Sequence, residues 1–127
     1  MNLALWIAAG LLATAFLVGG VGKLVMPREK IAATRFGGWA GDMSTGLVWA
    51  IGVLEVLGAI GLILPAVTGI ATVLVPTAAV GIALMMVGAA ITHFRRGEYA
   101  VILGNLGYLA IAAFVAWGRF GPEAFGG

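Results

Sequence analysis

Hydrophobic positions in this chain run in long unbroken stretches, and the few polar residues fall between them. The first stretch, Leu3 to Gly22, is long enough to cross a hydrocarbon core, which takes about 20 residues. From Gly46 to Thr92 the only charged side chain is Glu55, and that interval is too long for one span and long enough for two. Pro65 and Pro76 are expected to mark the break, with residues 66–75 as the turn, because proline lacks an amide donor and starts or kinks helices. The last stretch, Tyr99 to Trp117, is uncharged and ends in aromatic residues suited to a membrane interface. The pattern predicts four spans, at about 3–25, 45–64, 72–94 and 99–117.

The sizeable polar segment is Met26–Ser44, between the first and second spans. Pro27 ahead of Arg28-Glu29-Lys30-Ile31-Ala32-Ala33 reads as a short helix with proline at its first turn. Phe36 and Trp39, flanked by glycines, suit a stretch lying in the interface, and Ser44 or Thr45 is a ready cap for the second long helix. Small residues recur inside the spans, among them Gly52, Gly58, Gly61, Gly81, Gly88, Gly104 and Gly107. They let helix backbones approach closely where lipid supplies no hydrophobic drive for association. The expected fold is an all-α, polytopic membrane four-helix bundle of one domain over residues 1–127, with a short interfacial segment between helices one and two. Neither a basic region before Leu3 nor an A-x-A site after the first run argues for a cleaved signal, so that run is expected to stay as a span.

Composition strengthens the membrane reading. With 62% hydrophobic and 9% charged residues and a mean hydropathy of +1.13, the chain carries more apolar surface than a soluble interior of its size could hold. The absence of cysteine excludes a disulfide, a thiolate metal site or dithiol chemistry within the chain, and its single histidine excludes bis-histidine haem ligation. The net charge of +2 implies no nucleic-acid partner. Instead the basic residues report orientation. Lys23, Arg28, Lys30, Arg35, Arg95 and Arg96 fall on one side of the four-span layout and Arg119 on the other, so both termini are expected outside and both basic loops in the cytoplasm.

Each span offers one conspicuous polar group toward the basic side: Lys23, Glu55, His93 and Asn105. At about 1.5 Å per residue, Glu55 lies about 15 Å from Thr45 and Asn105 about 9 Å from Tyr99. A charge near a bilayer centre costs roughly 2.5–3.5 kcal/mol even on the mildest scale. Glu55 shares its helical face with Ile51, Gly52, Gly58, Ala59 and Leu62, which turns it toward the bundle. It is either one half of a structural link to Lys23 or Asn105, or a group that handles a ligand, proton or ion. Lys23 has a topological alternative as a snorkelling residue. His93, beside Arg95-Arg96, reads as a boundary histidine or a ligand contact, and Asn105 as helix glue or a ligand contact. Tyr108, one turn beyond Asn105, can supply a hydroxyl, and Met85 and Met86 offer adaptable apolar walls. Glu55, His93 and Asn105 are a poor ligand set for a metal, and none is expected. There is no nucleotide-binding loop and no recognisable catalytic motif.

With these residues in view, the chain resembles the DoxX-like family of small four-helix membrane proteins over Leu3 to Trp117. The resemblance rests on Gly22-Lys23-Leu24, on Gly52-Val53-Leu54-Glu55-Val56-Leu57-Gly58 with Gly61-Leu62-Ile63-Leu64-Pro65, on Gly88 to Glu98 with its Thr92-His93-x-Arg95-Arg96-Gly97-Glu98 run, and on Asn105. It implies a bundle in the bacterial inner membrane and association with oxidoreductases, because relatives occur in quinone-linked sulfur oxidation and redox-stress complexes. It supports Lys23, Glu55, His93 and Asn105 as a group and assigns them no reaction.

Three functions compete. In the first, the bundle is an accessory or binding module that holds a small amphipathic molecule, a quinone or a lipid, against Glu55, Lys23, His93, Asn105 and Tyr108 and serves a redox-enzyme partner. No intrinsic cofactor is expected. In the second it is a small proton-coupled transporter or channel. It is similar to small multidrug transporters in length, helix count and intramembrane glutamate, but theirs is in the first helix and their charge bias is weak. In the third it is an assembly factor for other membrane proteins. A homo-oligomer is compatible with all three.

Overall fold

The computed structural model describes residues 1–125 of the 127. Four long helices carry the fold: α1 (Asn2–Val25), α3 (Thr45–Thr68), α4 (Leu74–Arg95) and α5 (Tyr99–Phe120). All four are long and apolar enough to cross a membrane. Most of their large side chains point outward, as with Leu3, Leu11, Val18, Leu57, Leu84 and Leu103. An outward apolar surface of this extent needs lipid as its solvent, so this is a multi-pass membrane protein.

The helices form a closed ring in which α1 packs on α3 and α5, and α4 packs on α3 and α5. What brings α1 against α3 is a reciprocal glycine contact. A Cβ at Gly20 would lie 2.8 Å from the Gly52 carbonyl oxygen and 2.8 Å from Cγ2 of Val56, and one at Gly52 would lie 2.9 Å from Lys23 Cβ. Without side chains at these two positions the backbones touch, which is how helices gain packing energy in lipid.

The half of the bundle holding the termini and the α3–α4 turn has a close-packed apolar centre. Leu12, Phe16, Leu62, Val75, Ile82 and Val115 interlock there with almost no exposure. At its outer rim Arg119 is buried, donates from Nη1 to Oδ1 of Asn2 and to the Glu123 carbonyl, each at 2.9 Å, and lies over the Phe125 ring. Arg119 therefore fastens the C-terminal end of α5 to the start of α1.

One local outcome differs from the sequence expectation. Helix α3 does not stop at Pro65 but continues to Thr68, and the turn covers residues 69–73. Proline removes one amide donor near the end of a helix, a small loss that neighbouring groups make good. The stop comes from Gly69, whose left-handed φ of 70° lets its N–H reach the Pro65 carbonyl at 2.9 Å, while the Thr68 hydroxyl donates to Leu64 O. Helix α4 begins at Leu74, two residues before Pro76 and inside the expected span of about 72–94. The interfacial segment folds into α2 (Arg28–Ala32) and a 3-10 turn (Gly38–Asp42), closed over a small core of Ile31, Ala40 and Val48. Arg28 secures it by donating from Nη1 to the Met43 carbonyl at 2.8 Å, and Ser44 caps α3 through Leu47 N–H.

The glycine contact yields a stability prediction. Gly20→Val should destabilise the bundle by about 1–3 kcal/mol through overpacking, measured by denaturant titration in mild detergent. Gly10→Ala, where an added Cβ meets nothing within 4 Å, should leave the midpoint unchanged.

Candidate functional site

The half of the bundle facing the basic loops is built differently. Between the helices lies a cavity of about 460 Å³, and Lys23, Glu55, His93, Asn105 and Tyr108 all line it. The structure thus brings the five sequence-predicted residues, drawn from four different helices, to one place. Phe16, Trp39, Met85 and Met86 form its apolar walls.

Lys23 and Glu55 are an ion pair, with Nζ 2.8 Å from Oε1. Lys23 sits near the end of α1, one turn past Gly19, and Glu55 one turn past Ile51 on the face of α3 that meets α1. A side chain at Gly19 would bring its Cβ within 3.1 Å of Glu55 Oε2, so the carboxylate rests against bare α1 backbone. The ammonium also lies 5.6 Å from the centroid of the Trp39 ring, a second favourable site for its charge. Glu55 is buried, so water does little to screen the pair.

His93 is buried at the end of α4, and its Nδ1 is 2.9 Å from Oε1 of Glu98. An ionised carboxylate only accepts, so the shared proton is on Nδ1 and Nε2 is the ring nitrogen left for another partner. The backbone makes this pairing possible. Gly97, at φ 72°, closes α4 with the Glu98 N–H bonded to the His93 carbonyl at 2.9 Å, which folds residue 98 back over residue 93. Arg96 Nε donates to the same Glu98 oxygen at 3.0 Å, and its Nη1 pairs with Asp42 of the interfacial segment. A relay of charges therefore ties the roof of the cavity to the α4–α5 turn.

Asn105 is 9% exposed, and its Nδ2 is buried with no hydrogen-bond partner. A buried donor left unmade costs about 1–3 kcal/mol, and native structures leave few of them. Tyr108 lies farther along α5, half-exposed, with its ring edge-on to Phe16 at 5.7 Å between centroids. Thr92 also lines the cavity, but its hydroxyl is engaged by the Gly88 carbonyl at 3.0 Å.

Sequence reasoning missed Glu98, Trp39 and Gly19. Glu98 had a usable signal, since a glycine just past a helix end places the following residue back over the last turn. Nothing in the sequence marks Gly19 above the other glycines. The assembled groups are able to bind and orient polar atoms, balance a charge and exchange a proton. Residues 7–115 match the sequence model of the DoxX-like family. No curated protein and no solved structure matches the chain.

Two predictions rest on these pairs. Lys23→Met strands the Glu55 carboxylate and should destabilise the protein by about 3 kcal/mol, whereas Glu55→Gln should cost less because a freed lysine snorkels toward the interface. The double variant should recover to within about 1 kcal/mol of wild type in the same unfolding assay, since replacing both charges removes the stranded one. The second prediction concerns acid. The His93 hydrogen bond, and behind it the Arg96 contacts, hold the Glu98 carboxyl below its ordinary 4.5 against an opposing cost of burial. A depressed carboxyl contributes stability that is complete above 4.5 and fades as pH falls through the lowered value. Amide exchange of the Arg96–Glu98 turn, corrected for intrinsic rate, should accelerate as pH falls below 4.5 and through the lowered value, and Glu98→Gln should abolish that acceleration.

Proposed function

The chain belongs to the DoxX-like family, and from that premise we propose that it is a binding module for a small amphipathic molecule carrying carbonyl or hydroxyl oxygens, of the quinone class, in the service of a redox-enzyme partner. The observation that carries this reading is the unpartnered, buried Asn105 amide on the wall of a cavity that also gathers Lys23, Glu55, His93 and Tyr108. An N–H donor with no acceptor, set among apolar walls, suits a ring oxygen of such a molecule. Met85 and Met86 adapt to its faces. His93, steadied by Glu98, offers a second hydrogen-bonding nitrogen, and the Lys23–Glu55 pair provides a fixed dipole beside the site.

The chain's own groups hold and polarise the ligand. Electrons pass to or from a partner in this reading, since the chain has no cysteine pair to accept two of them. The basic roof formed by Arg28, Lys30, Arg35, Arg95 and Arg96 faces the cytoplasm in this reading, in a bacterial inner membrane with both termini outside. Acidic surfaces on a cytoplasmic or membrane-bound oxidoreductase are the natural complement to that roof.

Asn105→Leu separates ligand binding from folding. It removes an unsatisfied buried donor and should leave the unfolding midpoint equal or higher. Native mass spectra from mild detergent should show a discrete small molecule on the wild type, with occupancy on the leucine variant reduced by about tenfold, the value of one hydrogen bond. Glu55→Gln should also lower it. Folded wild-type protein carrying no discrete molecule would overturn the reading.

A further inference from the structure

The polar cavity shares walls with a neighbouring hollow. Leu54 of α3 and Met85 of α4 line both it and a second hollow of about 470 Å³ that follows the α3–α4 seam toward the termini. This second hollow is apolar. Its single hydroxyl, on Thr77, donates to the Val73 carbonyl at 2.7 Å, and three glycines, Gly58, Gly61 and Gly81, deepen it. Gly58 and Gly61 lie against Ile82 and Ala78, which holds the two helices together at the base of the groove. At Gly81 an added Cβ would meet nothing within 4 Å, so the groove there is open space. Leu54, Leu57 and Leu74 on its rim are about half exposed, which leaves the seam open sideways to lipid.

We propose that the ligand is a tailed lipid whose head occupies the polar cavity and whose apolar chain lies along the α3–α4 groove past Gly81. The proposal rests on the reading of the cavity as a binding site, and it adds the class of tail, the route of entry and the residues that select for it. Leu54 and Met85 are walls common to both hollows, so in this proposal one molecule passes between them from cavity to groove. The unpartnered Asn105 amide marks the end at which the head is held. Between Leu54 and Gly61 the groove follows α3 for about 10 Å, at about 1.5 Å per residue, so it takes a chain of several carbons.

Bulk lipid competes for the same groove, because lipid chains are as apolar as its walls. Tethering decides the competition. Once the head is bound, its own chain is present at a high effective concentration beside the groove, and a free lipid chain is not. The open rim lets such a molecule slide in from the bilayer without leaving hydrocarbon.

The test uses the full chain in nanodiscs and a benzoquinone bearing a photoactivatable diazirine two isoprenoid units from the ring. Labelling of wild type should concentrate on the facing residues of α3 and α4 around Leu57, Thr77 and Ala78, and excess one-isoprenoid quinone should suppress it. Gly81→Leu and Thr77→Leu, which fill the groove one turn apart, should each reduce that labelling at least about fivefold, consistent with loss of a tethered site. Binding of the one-isoprenoid quinone, read by native mass spectrometry, should stay within twofold of wild type in both. Competable quinone binding with label spread evenly over the outward faces of α1, α3 and α5 would overturn the groove while leaving the cavity reading intact. Failure of either quinone to bind saturably would overturn both.

Discussion

A carboxylate inside hydrocarbon needs a counter-charge, and the way Glu55 obtains one organises this protein. Its partner Lys23 is on another helix, 2.8 Å away, along the seam where α1 and α3 run in direct backbone contact. Gly20 and Gly52 permit that contact, and Gly19 clears the space the carboxylate occupies. Helix packing and ion pairing thus share one seam. A side chain at Gly19 would crowd the carboxylate, and a lone charge in this setting is costly. Packing alone does not account for the pair, because well-packed apolar residues of similar volume usually stabilise a buried site as well or better.

From that contact follows a division of the bundle into two halves. Toward the termini, side chains of α1, α3, α4 and α5 interlock without polar groups, and Arg119 ties the two chain ends together. Toward the basic loops the same four helices enclose a cavity with polar walls. The segment between α1 and α3 roofs it through Trp39 and Met43, and Arg96 joins the roof to the α4–α5 turn through Asp42 and Glu98. Glu98 thereby serves the roof and His93 at once, so roof position and imidazole orientation are coupled through one carboxylate.

Much of this was legible in the sequence for a physical reason: in long apolar spans any polar residue stands out, and few are affordable. Lys23, Glu55, His93 and Asn105 announced themselves that way, and the span limits needed only hydropathy and length. The helix ends were harder. Pro65 looked like a stop, but a proline in a membrane helix is readily accommodated, and the real stop was the left-handed Gly69. Residues whose role depends on an approach in space stayed hidden. Gly19 matters only because Glu55 arrives opposite it, and Trp39 because its segment folds back over Lys23.

The same division bears on the contest between binding and transport. A transporter must open its site to each face of the membrane in turn, and here one of those routes would pass through the terminal half. Leu12, Leu62, Val75, Ile82 and Val115 there have exposures of 2% or less, and opening a path would mean unpacking residues from all four helices against a close-packed core. The seam between α3 and α4 asks for no such change. It is open sideways along the rim of Leu54, Leu57 and Leu74, and it shares Leu54 and Met85 as walls with the polar cavity. In the proposed reading a molecule that dissolves in the bilayer enters by that seam, whereas a water-soluble substrate gains nothing from a door that faces lipid. On the proposed reading, the ligand lives in the membrane and the protein presents it in place.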